Sequence, residues 1–399
     1  MRREKLIIIF AVLLDVIGFG IVIPILPFYV TEFGVSALTV TILFSTFSFF
    51  AFLSSPLLGA LSDRFGRRPV LIACIISTAV GWFVFASAKT VWMLFLGRII
   101  DGMAAGNFTT AQSAMVDIST DEQERTANLG LVGAVFGVGF LLGPLVGGVL
   151  SNVSHSFPFL FAGILASINA VIAFFFFPET NKRMNREQPL SFNPLRPLAL
   201  AAKNVSLRPL FITWSIFAFA FVTSQSVFGL FTKDVFGMSA FQTGLAFTLV
   251  GVVMVVNQGL LLKKFWTARF SDYQIEVMML AILAAALVLI SSGLLPLFYL
   301  GMIALGTGQA NLRVVITTQV TRASDPKRKG EAIGILAALM SAYMVAAPIV
   351  SGMLYEFHHQ LPYAVSAAAL LAGVFIAVRN PVRVIPQNGS AEAPAKRVV

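Results

Sequence analysis

Charge is scarce in this sequence. Asp, Glu, Lys and Arg together make up 12% of 399 residues, about half the share usual in soluble domains. Hydrophobic residues make up 57%, more than the polar surface of a soluble chain this size could cover. A soluble enzyme, a disordered scaffold and a secreted disulfide domain are excluded on that ground. Cysteine is nearly missing: Cys74 stands alone, so no intramolecular disulfide is available. The three histidines, His155, His358 and His359, fall at expected loops or span edges, which argues against a histidine relay. The sequence shows no Ser/His/Asp set, metal-ligand cluster or phosphate loop, so neither enzymatic activity nor a metal or cofactor is expected. Arg2, Arg3 and Lys5 precede an apolar run too long for a signal peptide, and no small-residue cleavage site follows.

What is present is a series of long apolar runs. A bilayer core of about 30 Å takes roughly 20 helical residues. The runs fall near 6–30, 38–61, 70–88, 92–116, 126–150, 157–178, 209–231, 240–262, 276–294, 296–320, 331–354 and 361–379. A β-barrel would show short alternating segments instead. Placing the amino terminus in the cytoplasm puts 24 of the 28 Lys and Arg residues in inner segments. Lys89 and Lys233 fall in outer loops, and Arg98 and Arg313 inside spans. This asymmetry accounts for the net charge of +10 by the positive-inside rule, with no nucleic-acid partner. Both termini are expected in the cytoplasm, the chain in a bacterial inner membrane among lipids, and the protein a monomer.

The two halves are related. A shift of 204 residues carries Gly97, Gly102, Asn107, Asp121, Gly130, Pro144 and Gly148 onto Gly301, Gly306, Asn311, Asp325, Gly334, Pro348 and Gly352. Matched Gly, Pro, Asn and Asp carry more weight than matched apolar residues. A same-direction repeat of six spans places the halves about an axis along the membrane normal, with a path between them at the midplane. The expected fold is all-α: twelve transmembrane helices in two pseudo-symmetric six-helix bundles. The bundles take residues 1–178 and 209–379, joined by a cytoplasmic linker, 179–208, and followed by a tail, 380–399.

Gly59-Ala-Leu-Ser-Asp63-Arg64-Phe-Gly66-Arg67-Arg68, between spans 2 and 3, resembles the GxLxDRxGRR motif of the major facilitator superfamily. Gly139-Phe-Leu-Leu-Gly143-Pro144-Leu-Val-Gly147-Gly148 in span 5 is similar to the GxxxGPxxGG motif of its drug/proton antiporters. Span 1, with Asp15, Gly18, Gly20, Pro24 and Pro27, and span 4, from Gly97 through Asp117, look like tetracycline-efflux-type members. The resemblance covers about 380 residues. The loop after span 8 lacks a second DRxGRR copy, and no substrate motif is matched. The resemblance implies that Arg67 pairs with Asp117 and that Asp63 faces the start of span 11, latching the inner ends of the halves in an outward-facing state.

The residues carry readings of their own. Gly59 allows close helix approach, Gly66 a tight turn, and Asp63 a helix cap. Arg64, Arg67 and Arg68 would otherwise serve only to anchor topology. Gly139, Gly143 and Gly147 form a flat small face beside the Pro144 kink. With Gly148, and Pro348 in the repeat, that face is expected to seal or pivot against the opposite half.

Among the acids, Asp15 and Asp101 read as lying well inside spans, where a charge costs at least roughly 2.5–3.5 kcal/mol and marks a pathway. Arg98 and Asp101 share a helix face and read equally as a structural ion pair or a proton-coupling pair. Asp15 has no partner within a turn of its own span and reads as a proton carrier. Phe19, Gln112, Phe221, Gln225, Phe228, Asn257, Gln309 and Arg313 are candidate cavity residues, an aromatic lining with a few amides that suits an amphipathic organic substrate. Arg313 could bind an anionic group, pair with Asp15 or Asp101, or snorkel. The expected function is proton-coupled efflux of drug-like or tetracycline-like compounds by alternating access. The alternative is proton-coupled transport of a metabolite, sugar or siderophore on the same fold. The short tail argues against a signalling receptor.

Overall fold

The computed structural model describes residues 3–181, 184, 195–325 and 328–380. Residues 182, 183 and 185–194 of the expected linker and nearly all of the tail lie outside them. The described residues are helical: α1 Arg3–Thr31, α2 Ala37–Phe65, α3 Arg67–Ala86, α4 Val91–Met103, α5 Asn107–Asp117, α6 Glu122–Leu150, α7 Phe157–Phe176, α8 Arg196–Lys203, α9 Arg208–Phe236, α10 Ala240–Val256, α11 Thr267–Arg269, α12 Asp272–Ser291, α13 Leu295–Ala323, α14 Lys329–Phe357 and α15 Leu361–Arg379. Local chemistry sets several ends. Ser239 and Ser271 form reciprocal capping boxes with Gln242 and Gln274. Gly237, at φ +63°, closes α9 in the left-handed conformation that glycine adopts freely.

Ten helical stretches among the described residues are long and apolar enough to cross a membrane. The other two expected crossings fall short for different reasons, one by polarity and one by a break in the helix. The α13 segment carries Gln309, Asn311, Arg313 and Gln319. The fourth expected span, 92–116, is broken rather than continuous: α4 stops at Met103 and α5 starts at Asn107. The intervening turn brings the Gly106 backbone against Leu58, where an added Cβ would lie 2.8 Å from its side chain. The eighth span runs on past 262 because α10 continues as a π-helix, Asn257–Trp266, into α11. Within that wider turn Trp266 Nε1 donates back to Asn257 Oδ1 at 3.1 Å.

Helices α1 to α7 pack among themselves, as do α9 to α15, and the two groups meet through α2–α14, α6–α10 and α1–α9. The glycines map this junction. Arg64, Arg67 and Arg68 mark one end of the bundle, the basic end. At the opposite end helices touch backbone to backbone: an added Cβ on Gly244 would lie 2.5 Å from the Pro144 carbonyl, and one on Gly229 2.9 Å from that of Pro24. Toward the basic end, Cβ atoms on Gly130, Gly133 and Gly137 of α6 and on Gly330 and Gly334 of α14 would meet nothing within 4 Å. The halves are therefore closed at one end and parted at the basic end.

Candidate functional site

Three candidate coupling residues, Asp15, Arg98 and Asp101, lie close together in the amino-terminal half. On α4, Arg98 Nη2 donates to Asp101 Oδ2 at 2.7 Å, and both residues are buried. The Arg98 guanidinium sits 4.3 Å from the Trp82 ring centroid and 5.0 Å from that of Phe47, so aromatic faces replace part of the water it has lost. Removing one member of such a buried pair typically costs about 3–5 kcal/mol. Thr78 of α3 lies beside Asp101, and its hydroxyl accepts from Asn107 Nδ2 at 3.3 Å. The same amide donates to Asp15 Oδ1 at 2.8 Å.

The helix break before Asn107 makes this possible by starting α5 beside α1 and α3. Asp15 thus has a partner, supplied by α5 rather than by its own span. Asp15, Asn107 and Asn169 line a small pocket with Leu71, Ile75 and Phe108. Among the described residues the Oδ1 atoms of Asn107 and Asn169 face no protein donor. Asn107, Thr78 and Asn169 escaped the sequence reading of this site, although Asn107 was among the matched repeat positions.

The cavity candidates separate. Gln225, Phe228 and Gln309 line a second, small pocket with Ser224, Phe247 and Tyr363, all within the carboxy-terminal half. Phe221 packs on Phe217 at 5.8 Å and Phe19 on Phe47 at 6.2 Å; Gln112 is half-buried on α5. Arg313 is exposed and makes no ion pair among the described residues, so the expected contact with Asp15 or Asp101 is not formed. Asn257 is a structural knot rather than a cavity residue. It donates to the Val253 carbonyl and Thr307 Oγ1, and its Oδ1 accepts from Trp266 and Asn311.

The loop at the basic end corrects several expectations. Gly66 makes the tight turn, at φ +104°. An added Cβ on Gly59 would meet nothing within 4 Å, so Gly59 brings no helices together in this arrangement. Asp63 lies in the last turn of α2 and pairs with Arg67 Nη1 at 2.6 Å, instead of capping a helix or bonding α14. The cap on α3 is Glu179, whose carboxylate accepts from the backbone N–H groups of Arg67 at 2.9 Å and Arg68 at 3.1 Å. Arg67 Nε reaches Asp117 at 2.9 Å as expected. Arg68 donates to the Phe174 carbonyl, while Arg64 lies over the Phe65 ring. The repeat-related helix ends invert this polarity: Asp272 at the start of α12 pairs with Arg322 near the end of α13.

In α6, Gly139 and Gly143 face Val16 and Gly20 of α1, and Gly147 faces Ile21. This small face therefore packs within its own half. Within this motif Gly148, the Pro144 carbonyl and Leu141 meet the opposite half, at Phe241, Gly244 and Gly251. Pro348 is buried in α14, where its carbonyl accepts from Ser351.

Two six-helix groups joined at one end, with charge enclosed among their apolar helices, define a multi-pass membrane transporter. The chain belongs to the Major Facilitator Superfamily, whose family model it matches over residues 8–272 and 259–399. It is 30% identical over 363 residues to the class C tetracycline resistance protein of Escherichia coli, covering 89% of this chain and 90% of that one. It is 25% identical over 384 residues to the quinolone resistance protein NorA of Staphylococcus aureus strain Mu50, covering 94% and 96%. The crystal structure of the human organic anion transporter MFSD10 (TETRAN) superposes with a TM-score of 0.70 at 24% identity, over 94% of this chain and 99% of that one, a likeness of fold.

Proposed function

We propose that this chain exports amphipathic organic compounds in exchange for protons, by alternating access. The observation that carries the reading is the cluster of Asp15, Asn107, Thr78, Asp101 and Arg98: the Asn107 amide donates to both Asp15 and Thr78, Thr78 lies beside Asp101, and Asp101 pairs with Arg98. Two carboxyl groups far apart in sequence are gathered among apolar helices of one half. Such a cluster is costly in a membrane unless it serves a purpose. Asp15 takes up and releases the proton, and Asn107 orients its carboxyl group. The Arg98–Asp101 pair sets the charge beside it.

The positive-inside rule places the basic end in the cytoplasm, so the parted side opens inward. A compound entering from there would reach the exposed guanidinium of Arg313 and the half-buried amide of Gln225, which borders the pocket of Phe228 and Gln309. Export of drug-like compounds agrees with relatives named for tetracycline and quinolone resistance. Contact with α14 by Asp63, the implied latch, would then form when the basic end closes.

The test is Asp15→Asn, which keeps size and hydrogen bonding but cannot carry a proton. The variant should bind substrate and exchange it downhill, yet fail to concentrate it against a gradient. Undiminished uphill export would remove Asp15 from coupling and move the role to Asp101.

A further inference from the structure

A third buried acid lies in the other half. Glu276 is 3% exposed, one turn inside the start of α12. It sits at the margin of the ninth apolar run, where an acid reads as a loop residue. The structure instead encloses it between α9 and α13. Thr213 Oγ1 of α9 lies 2.9 Å from Glu276 Oε1, and Gln319 Nε2 of α13 donates to Oε2 at 2.8 Å.

No Lys, Arg or His pairs with Glu276 among the described residues. The neighbouring arginine of α13, Arg322, is engaged by Asp272. The other charged groups at this end of the surrounding helices are Arg208, which opens α9, and Arg379, which closes α15. A bare carboxylate enclosed without a cation is strongly disfavoured.

The hydrogens identify the species. Thr213 Oγ1 has one hydrogen and two neighbours, the Leu210 carbonyl at 3.1 Å and Glu276 Oε1 at 2.9 Å. A carboxylate only accepts, so it would compete with Leu210 for that hydrogen. A carboxylic acid with its proton on Oε1 donates to Thr213 and leaves the hydroxyl hydrogen to Leu210. Gln319 Nε2 has two hydrogens, for Glu276 Oε2 and for the Asp272 carbonyl at 3.3 Å. One proton on Glu276 satisfies every contact.

We propose that Glu276 is a proton-binding site of the carboxy-terminal half, whose bound proton ties the basic ends of α9, α12 and α13 in this conformation. Loss of the proton removes the donor to Thr213 and places an unpaired charge among three helices. The packing seen here is therefore favoured with the proton on and weakened as pH rises. The site is independent of Asp15, and the proposal does not rest on the export reading.

The experiment is infrared spectroscopy of the purified full-length protein in lipid, followed through a pH titration. Wild type and Asp15→Asn should both show a carboxylic acid C=O band that Glu276→Gln lacks. Gln preserves the geometry, donating to Thr213 and accepting from Gln319. Thr213→Val, which removes the partner of the acid proton, should keep the band and shift it to higher frequency. A Glu276→Gln spectrum identical to wild type would overturn the proposal. If that variant does not fold, a Thr213→Val band unmoved from wild type would overturn it equally.

Discussion

An alanine at Gly244 tests the interface between the halves. Its Cβ would lie 2.5 Å from the Pro144 carbonyl oxygen and 3.2 Å from Gly148 Cα. Both neighbours are backbone, so α6 and α10 must part. Forced overpacking of this kind costs about 1–3 kcal/mol. In a conformation where this end is open, the two helices are separated and the cost vanishes. The ratio of open to closed forms at this end should rise about 5- to 150-fold. Gly143→Ala is the control: its Cβ would meet Gly20 Cα at 2.6 Å, but α1 belongs to the same half. That cost falls on both conformations, lowering stability without shifting their ratio. The assay is thiol labelling at Phe28→Cys, a buried position on α1 beside Lys233 of α9. Cys74, the chain's one native thiol, is buried at 2% and gives little background. Labelling should accelerate with Gly244→Ala and stay at its starting rate with Gly143→Ala. Equal rates in all three backgrounds, or acceleration with Gly143→Ala alone, would refute rigid-body separation at this junction.

Glu179→Ala should remove the cap from α3 and cost about 0.5–2 kcal/mol, read as a lowered thermal unfolding midpoint in detergent with substrate affinity unchanged. Lys233→Met and Glu356→Ala remove the two hydrogen bonds described between the halves, Lys233 to Thr31 at 2.7 Å and Leu38 N–H to Glu356 at 3.0 Å. Partly exposed contacts of this kind contribute about 0–1 kcal/mol, so neither variant should change the Phe28→Cys labelling rate by more than about 5-fold. Reporters fused after Val399 and within 179–208 should both read as cytoplasmic; an outer location for either would overturn the twelve-span topology.

The crossings and the repeat were legible because a membrane imposes one pattern, about 20 apolar residues per helix. The Arg98–Asp101 pair was legible because a three-residue spacing places both side chains on one helix face. The partner of Asp15 was not. It depends on a helix break at 104–106, where two alanines and a glycine carry no stop signal of their own. Glu179 was read as the first linker residue, and its capping role depends on how the end of α7 meets the start of α3. Gly59 and the α6 glycines show the limit of a small-residue motif: it marks a face without naming the helix that meets it. Glu276 fell at the edge of an apolar run, where hydropathy alone does not separate a loop acid from an enclosed one.

The central claim, proton-driven export, is tested most directly in proteoliposomes carrying a pH-sensitive dye in the lumen. Adding substrate outside, with no gradient imposed, should drive protons out as substrate enters, so the lumen becomes more alkaline. The response should vanish with Asp15→Asn while downhill substrate exchange persists. Substrate entry with no change in lumenal pH, or with acidification, would contradict the account.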